Sequence, residues 1–248
     1  MQSFSQSIDP DFGINGTFQS KDAPLMTTRK VEVSVDGKIY ALFSADFYAS
    51  EDLAAKNGLY GVLYRLFPNG QIDNEFGTNG RVIIETPGFV KTTVRDLIIT
   101  ENNNLVICGM AANDIPAQET PVIFRMLENG QSNAVFGTNG IRTLSLFQGG
   151  FMAAAERSMG ELLVANDTYN INGEFAEAEI RIVRMRENGD IDRSDGALGE
   201  YILNTTNKEY IQGILVNQYD QVIFYGHYYS CVASDWHLNN FMFFEDSD

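Results

Sequence analysis

Large apolar residues alternate with other residues in three segments of the chain, each of which leads into an Asn-Gly pair. The segments are 60–68 (YGVLYRLFP), 121–128 (PVIFRMLE) and 180–187 (IRIVRMRE). A period of two residues is typical of half-buried β-strands. Each segment carries an arginine four positions before the asparagine: Arg65, Arg125 and Arg184. Residues 240–244 fall where a fourth such strand is expected, without the arginine.

These segments recur because the chain is an internal repeat. The sequence after each strand is NGQIDNEFGTNG at 69–80, NGQSNAVFGTNG at 129–140 and NGDIDRSDGALG at 188–199, and a shortened copy, IDPDFGING, occupies 8–16. The shared glycines are Gly13, Gly77, Gly137 and Gly196, with separations of 64, 60 and 59 residues. Repeats of this length are typical of proteins built by stacking one supersecondary unit on the next.

A second set of turns lies between apolar alternating runs. These turns are at 36–37 (DG), 102–103 (NN), 159–160 (MG) and 219–220 (YD). Asp, Asn and Gly tolerate the backbone angles of tight hairpin turns. Each unit therefore predicts four strands, a to d, which in the second unit are about 81–86, 92–100, 104–110 and 121–127.

Sixteen short strands predict an all-β chain, and tandem four-stranded sheets favour a β-propeller of four blades. The predicted blades are approximately 9–72, 73–132, 133–191 and 192–248, within one repeat domain. The alternatives are an open repeat array and a ring completed by a second chain, as in a homodimer. With this assignment of strands, no blade is shared between the two ends of the chain.

The pattern R-x-x-x-N-G-x-x-D-x-x-F-G-x-N-G resembles the bacterial delta-60 repeat. Its best copy runs from Arg65 through Asp73 to Gly80, and in the next copy Asn133 replaces the aspartate. The last copy departs further, with Asp195 in place of the phenylalanine. The resemblance covers nearly the whole chain and implies the β-propeller fold. It implies no activity.

The chain is strongly acidic, with 33 Asp and Glu against 17 Lys and Arg and a formal charge of −16. Phosphate-binding surfaces need clustered basic residues, so nucleic acid and anionic membranes are not expected partners. The two cysteines, Cys108 and Cys231, do not make a disulfide framework. The sequence shows no signal peptide or membrane span. A cytoplasmic location is the default expectation and an extracellular one stays open.

Motifs for cofactors are weak. Residues 190–196 (DIDRSDG) have the look of a calcium loop, but Asp195 stands where an EF-hand requires glycine. The two histidines, His227 and His237, belong to no metal or nucleophile motif. We therefore expect no cofactor, with calcium as a minor possibility.

The segments that vary between units are the predicted c–d loops at 46–58, 111–120, 166–178 and 227–239. Variable loops on a repeated scaffold commonly carry binding surfaces. The last loop is aromatic and contains the candidate binding residues His227, Tyr228, Tyr229, Asp235, Trp236 and His237. A protein or carbohydrate ligand is expected there.

Three function classes remain open, and one of them, a purely structural subunit of a larger assembly, is a question for light scattering. The first is a non-enzymatic binding or interaction module that uses the c–d loops. The second is a hydrolase or lyase with carboxylates or a metal along the axis of the ring, which predicts converging titratable groups with shifted pKa values in one pocket. The repeated arginines and glycines are interpreted as scaffold, with Arg65 pairing Asp73 and Arg184 pairing Asp192.

Overall fold

The regular structure of the chain is almost entirely β. The computed structural model describes residues 8–20, 26–46, 59–113, 119–145, 149–168, 179–194, 199–203, 208–232 and 235–245. These residues form fifteen strands and one 3-10 turn at Ser158–Gly160, so the predicted all-β class is confirmed. None of the described residues belongs to a helix with the length and apolarity that crossing a membrane demands.

The strands form four antiparallel sheets in which consecutive strands lie side by side. Sheet 1 contains β1 (Met26–Val33), β2 (Ile39–Asp46), β3 (Leu59–Leu66) and β4 (Arg81–Ile84). Sheet 2 contains β5 (Lys91–Ile99), β6 (Leu105–Ala112), β7 (Thr120–Met126) and β8 (Ile141–Thr143). Sheet 3 contains β9 (Gly150–Glu156), β10 (Leu162–Thr168), β11 (Glu179–Met185) and β12 (Glu200–Leu203). Sheet 4 has three described strands, β13 (Lys208–Val216), β14 (Val222–Val232) and β15 (Asp235–Glu245).

The four predicted hairpin turns between the first and second strand of each sheet are confirmed. Each turn contains a residue with positive φ, namely Gly37 (83°), Asn103 (57°), Met159 (62°) and Asp220 (62°). Glycine, asparagine and aspartate adopt this conformation at low cost. Local turn chemistry is therefore enough to define these hairpins.

The strand after each FGxNG motif is the outer strand of the sheet that precedes the motif. β4 pairs with β3, and Tyr64 lies opposite Arg81; β8 pairs with β7 in the same way. The sequence pattern predicts these strands as the first of the following unit, which is wrong. The motif folds back along the strand that it follows, because the Arg65 amide donates to the Gly80 carbonyl at 3.1 Å and the Arg125 amide donates to the Gly140 carbonyl at 2.8 Å.

Each sheet buries one face against the next. Three apolar clusters fill the three contacts, and they join sheets 1 and 2, sheets 2 and 3, and sheets 3 and 4. Phe76 and Phe136, the phenylalanines of the repeated motif, are fully buried in the first and second of these clusters. The prediction that this phenylalanine fills the joint between units is confirmed at both positions.

The same motif joins neighbouring units through the backbone. The Gly77 amide donates to the Asn129 carbonyl at 3.0 Å, and the Gly137 amide donates to the Asn188 carbonyl at 2.9 Å. A Cβ on Gly77 would lie 2.3 Å from the Arg81 carbonyl oxygen, so no other residue fits there. Gly196, the third glycine of the predicted scaffold, lies outside the described residues.

The repeated arginines are scaffold residues, but they do not all use the same partner. Arg65 Nε donates to Asp73 Oδ2 at 2.8 Å, which confirms the predicted pair. Arg184 instead donates from Nε to Glu161 Oε1 at 2.9 Å, while Asp192 accepts from Arg186 at 3.0 Å. The predicted pair of Arg184 with Asp192 is therefore wrong, because Glu161 on the neighbouring hairpin turn is available to the guanidinium.

Candidate functional site

One open cavity is built by the first strands of all four sheets. It has a volume of about 590 Å³, and its lining comes from β1, β5, β9 and β13 and from the hairpin turns that follow β1 and β5, with Tyr225 of β14. We call it the central cavity. Its charged lining residues are Lys30, Glu32, Asp96, Glu101 and Glu156. Four carboxyl groups and one ammonium group therefore border the space, in keeping with the acidic chain.

A β-bulge occurs in the first strand of every sheet, at the same place in the repeat. The extra residues are Arg29, Arg95, Met152 and Gln212. A bulge leaves one residue unpaired, bends its strand and increases the local twist. The four strands around the central cavity thus share one irregularity, which no part of the sequence pattern predicts.

Asp96 ties three sheets together beside the central cavity. Its carboxylate lies 3.3 Å from the Lys30 ammonium in sheet 1 and accepts a hydrogen bond from the Ala154 amide in sheet 3 at 3.1 Å. The Leu97 amide donates to the same carboxylate at 2.9 Å. Asp96 is buried, and a buried carboxylate with these partners is a structural clamp rather than a free binding group.

Lys30 is held in its charged form by this arrangement. Burial lowers the pKa of Lys30, but the neighbouring carboxylates of Asp96 and Glu32 outweigh burial, so its net pKa is raised. Glu32 lies 3.3 Å from the same ammonium. The positive charge of Lys30 is therefore shared between two carboxylates.

Glu156 has a different environment. Its Oε2 accepts a hydrogen bond from the Glu101 amide at 2.6 Å, whereas its Oε1 is buried and has no hydrogen-bond partner among the described residues. Burial raises the pKa of Glu156, and the charges of Glu101 and Glu187 add to that effect while Arg125 opposes it. Glu156 therefore keeps its proton to a higher pH than an ordinary glutamate does.

A pair of guanidinium groups lies near the first bulge. Burial and then the charge of Arg95 lower the pKa of Arg29. Arg29 Nε donates to Ser44 Oγ at 3.2 Å, and the Ser44 hydroxyl donates to the Val94 carbonyl at 3.2 Å. These bonds couple the bulges of sheets 1 and 2.

The segment 227–239, predicted as an aromatic loop, is a hairpin instead. β14 continues to Val232, β15 begins at Asp235, and the two strands stay paired up to Val232 opposite Asp235. The prediction of a loop is wrong because the aromatic residues of this segment also favour β-strands. The other predicted c–d loops, apart from their ends, lie outside the described residues.

The six candidate residues of this hairpin divide between its two faces. Successive residues of a strand alternate in face, and Cys231 pairs with Trp236 while Ser230 pairs with His237. One face therefore carries His227, Tyr229 and Trp236, and the other carries Tyr228, Asp235 and His237. The His227 ring stacks on Tyr210 at 5.1 Å between centroids, and the side chains of the other five are outside what is described. Their binding role stays a prediction.

Metal binding finds no support in the described part of the chain. No group of three or more His, Cys, Asp or Glu residues there could hold an ion. In the candidate calcium loop, Asp192 accepts from the Ser194 amide at 3.1 Å and from Arg186, and Asp195 and Gly196 are not described. In the described part of that loop, Asp192 thus accepts hydrogen bonds from within the protein.

No protein-family model matches the chain, and no curated protein matches it significantly. The resemblance to the delta-60 repeat therefore stays a prediction.

Two further hollows lie on the surface of the described residues. A cavity of about 350 Å³ lies between sheets 3 and 4 and is lined by paired ions, among them Arg157 with Asp220 and Arg184 with Glu161. An open cleft of about 780 Å³ is lined by residues of the segment 13–20, by Tyr64 and by residues of the turn at 70–81. Neither is shared by all four sheets, which makes the central cavity the stronger candidate.

Proposed function

We propose that the chain is a non-enzymatic binding module of the delta-60 type, whose four sheets are the blades of a β-propeller. The observation that carries the proposal is the central cavity, because it is lined by the first strand of every sheet. In a propeller the first strand of each blade borders the axis. The successive burial of each sheet against the next supports the same arrangement.

The ligand that suits this cavity is a protein segment with basic side chains. Of the four carboxyl groups, that of Asp96 already has partners in sheets 1 and 3. Glu101 is exposed, and the partly exposed side chain of Glu156 lines the cavity. A cavity bordered by carboxylates attracts cationic groups and repels anionic ones.

The test is a titration of the protein with penta-lysine, penta-glutamate and a neutral maltopentaose by isothermal calorimetry. We expect penta-lysine alone to bind. The double variant Glu101→Gln with Glu156→Gln should weaken that binding at least tenfold. A matched double variant, Glu75→Gln with Glu128→Gln, removes the same charge from exposed positions away from the cavity and should have little effect.

Equal weakening by both double variants would mean that penta-lysine responds only to net charge, and would overturn the assignment to the central cavity. Binding of maltopentaose would replace the basic segment with a carbohydrate ligand, and the aromatic hairpin at 227–239 would then be the place to examine.

A hydrolase is the second candidate, because Glu156 combines a raised pKa with a place at the central cavity. A carboxyl group whose pKa is raised by burial can act as a general acid. Panels of chromogenic aryl glycosides and aryl esters test this idea. Turnover that disappears in Glu156→Gln but survives in Glu75→Gln would favour the enzyme over the binding module.

A further inference from the structure

We propose that residues 17–20 supply the fourth strand of sheet 4, so that sheet 4 packs on sheet 1 and the ring closes within one chain. The inference adds to the propeller arrangement proposed above, and its test does not depend on ligand binding. It rests on three sets of contacts in the described residues: the N-terminal turn, the exposed apolar residues, and the edge of β15.

The N-terminal turn is a structural copy of the turns that carry the outer strands. Residue 17 forms the bridges to Gly13 and Ile14 that Arg81 forms to Gly77 and Thr78. The Gly13 amide donates to the Asn69 carbonyl at 2.7 Å, as Gly77 does to Asn129 in the next unit. Residues 17–20 therefore stand where the fourth strand of a sheet preceding sheet 1 would stand.

The side chains of the N-terminal segment make contacts with sheet 1 that are equivalent to the contacts between sheets 1 and 2. A Cβ on Gly70 would lie 2.9 Å from the Phe12 ring, just as one on Gly130 would lie 3.0 Å from Phe76. Phe18 packs edge-on against Tyr64, with 5.3 Å between the ring centroids. Phe18 corresponds to Val82 of β4, which packs against the apolar cluster between sheets 1 and 2. Residues 17–20 thus pack against sheet 1 as β4, the outer strand of sheet 1, packs against sheet 2.

At each end of the row of sheets, an apolar residue that a closed ring would bury is exposed, although most of the outer face of β3 is already buried. Val31 of β1 is 50% exposed, but its equivalents Leu97 and Ala154, which face the preceding sheet, are buried. Met242 of β15 is 60% exposed, but its equivalents Ile123 and Ile182, which face the following sheet, are buried. The outer faces of sheets 1 and 4 therefore both carry exposed apolar surface, which packing of sheet 4 on sheet 1 would bury.

The edge of β15 is the place for the missing strand. β3, β7 and β11 each pair with a following outer strand, whereas β15 has no such partner among the described residues. An unpaired edge presents backbone donors and acceptors that favour pairing. Sheets 1 and 4 already border the same cavity through Val35 and Leu215, so the same chain is the nearest source of a strand.

The repeat predicts the register of this pairing. Val62 lies opposite Ile83 in sheet 1, and the equivalent positions are Phe241 in β15 and Gln19 in the N-terminal segment. Paired residues of antiparallel strands have Cα atoms about 4.5–5.5 Å apart, a spacing that a disulfide spans. Cysteines at these two positions will therefore report closure.

The experiment uses the full chain with Cys231→Ser as background, to which Gln19→Cys and Phe241→Cys are added. We expect mild oxidation to give an intrachain disulfide, seen as a faster monomer band in non-reducing gels at every protein concentration. The control pair, Gln19→Cys with Asp235→Cys, places the second thiol six residues away on the same strand and should stay reduced. An interchain disulfide would assign the strand to a second copy, and no disulfide beyond the control would also overturn the proposal.

A second pair of variants tests the packing without cysteines. Met242→Glu places a charge on the face that closure buries, and Met159→Glu makes the same change at a residue that is 97% exposed. We expect Met242→Glu to lower the thermal unfolding midpoint by several degrees and Met159→Glu to leave it nearly unchanged. Equal small effects would show that Met242 stays in solvent, contrary to closure.

Discussion

Arg65 and Asp73 form a buried ion pair, with Arg65 Nε donating to Asp73 Oδ2 at 2.8 Å. The same guanidinium donates from Nη1 to the Glu128 carbonyl at 2.8 Å and lies 4.9 Å from the centre of the Phe76 ring. One side chain therefore connects its own turn, the phenylalanine that fills the joint, and the next unit. The following repeat lacks the carboxylate, which makes it a natural comparison.

Asn133→Asp is expected to stabilise the protein. Arg125 is fully buried and its Nε has no hydrogen-bond partner among the described residues, because Asn133 stands where Asp73 stands in the preceding repeat. A charged hydrogen bond restored there contributes about 1.5–3 kcal/mol. Urea unfolding should show a higher midpoint. Asn129→Asp, which adds the same charge at an exposed turn, should give no comparable gain; a fall in the midpoint for Asn133→Asp would contradict the prediction.

Phe136→Ala is expected to destabilise the protein by about 3–5 kcal/mol, because it empties a fully buried site between sheets 2 and 3. Phe136 has no exposed surface and belongs to the apolar cluster of that joint. Chemical denaturation measures the change. Val135→Ala is the matched control, since Val135 is the adjacent residue and is 74% exposed; similar losses for both variants would argue against the joint.

Gly77→Ala is expected to cost more than Gly88→Ala. Both glycines have positive φ, 54° and 83°, so each substitution carries a backbone penalty of about 1–2 kcal/mol. A Cβ on Gly77 would also meet the Arg81 carbonyl oxygen, whereas one on Gly88 meets nothing within 4 Å. The difference between their unfolding free energies isolates the steric clash. Equal losses would show that the turn moves to accept the methyl group.

Glu156→Gln is expected to change how stability depends on pH. Burial raises the pKa of Glu156 in the folded protein above its value in the unfolded chain, so the folded state binds more protons between the two pKa values. Stability contributed by this group is then lost as pH rises through that window, which lies above the ordinary carboxyl pKa. Glutamine stays neutral and accepts the Glu101 amide, so the variant avoids this loss.

Thermal unfolding of both proteins between about pH 4 and about pH 8 measures the effect. As pH rises, the thermal unfolding midpoint of Glu156→Gln should increase relative to that of the wild type. Glu75→Gln, at an exposed position, serves as the control. A constant difference between Glu156→Gln and wild type across the range would count against a raised pKa.

Much of the fold is predictable from local chemistry. The alternation around Arg65 and Arg125 predicts the third strand of each sheet, and Gly37 and Asn103 predict the first hairpins. Phe76 and Phe136 are predictable as joint residues because they recur beside a glycine whose conformation leaves no room for a side chain. Each of these inferences depends on residues that are close together in the chain.

The candidate site is less predictable. Asp96 and Glu156 occur in no motif, and they come together at the central cavity only because successive sheets align their first strands. The partner of Arg184 is likewise decided by a neighbouring hairpin turn, where Glu161 accepts hydrogen bonds from its guanidinium. Sequence spacing alone gives no sign of either arrangement.

By itself, the sequence determined the repeat, the all-β class and the hairpin turns, because turn residues and alternation act over a few residues. Only the tertiary structure decided which sheet each outer strand joins, since strand pairing is a choice between neighbours that share the same alternation. The bond from the Arg65 amide to the Gly80 carbonyl makes that choice by folding the motif back along β3. The tertiary structure also decided that the first strands of the four sheets enclose one cavity, because that depends on how whole sheets pack.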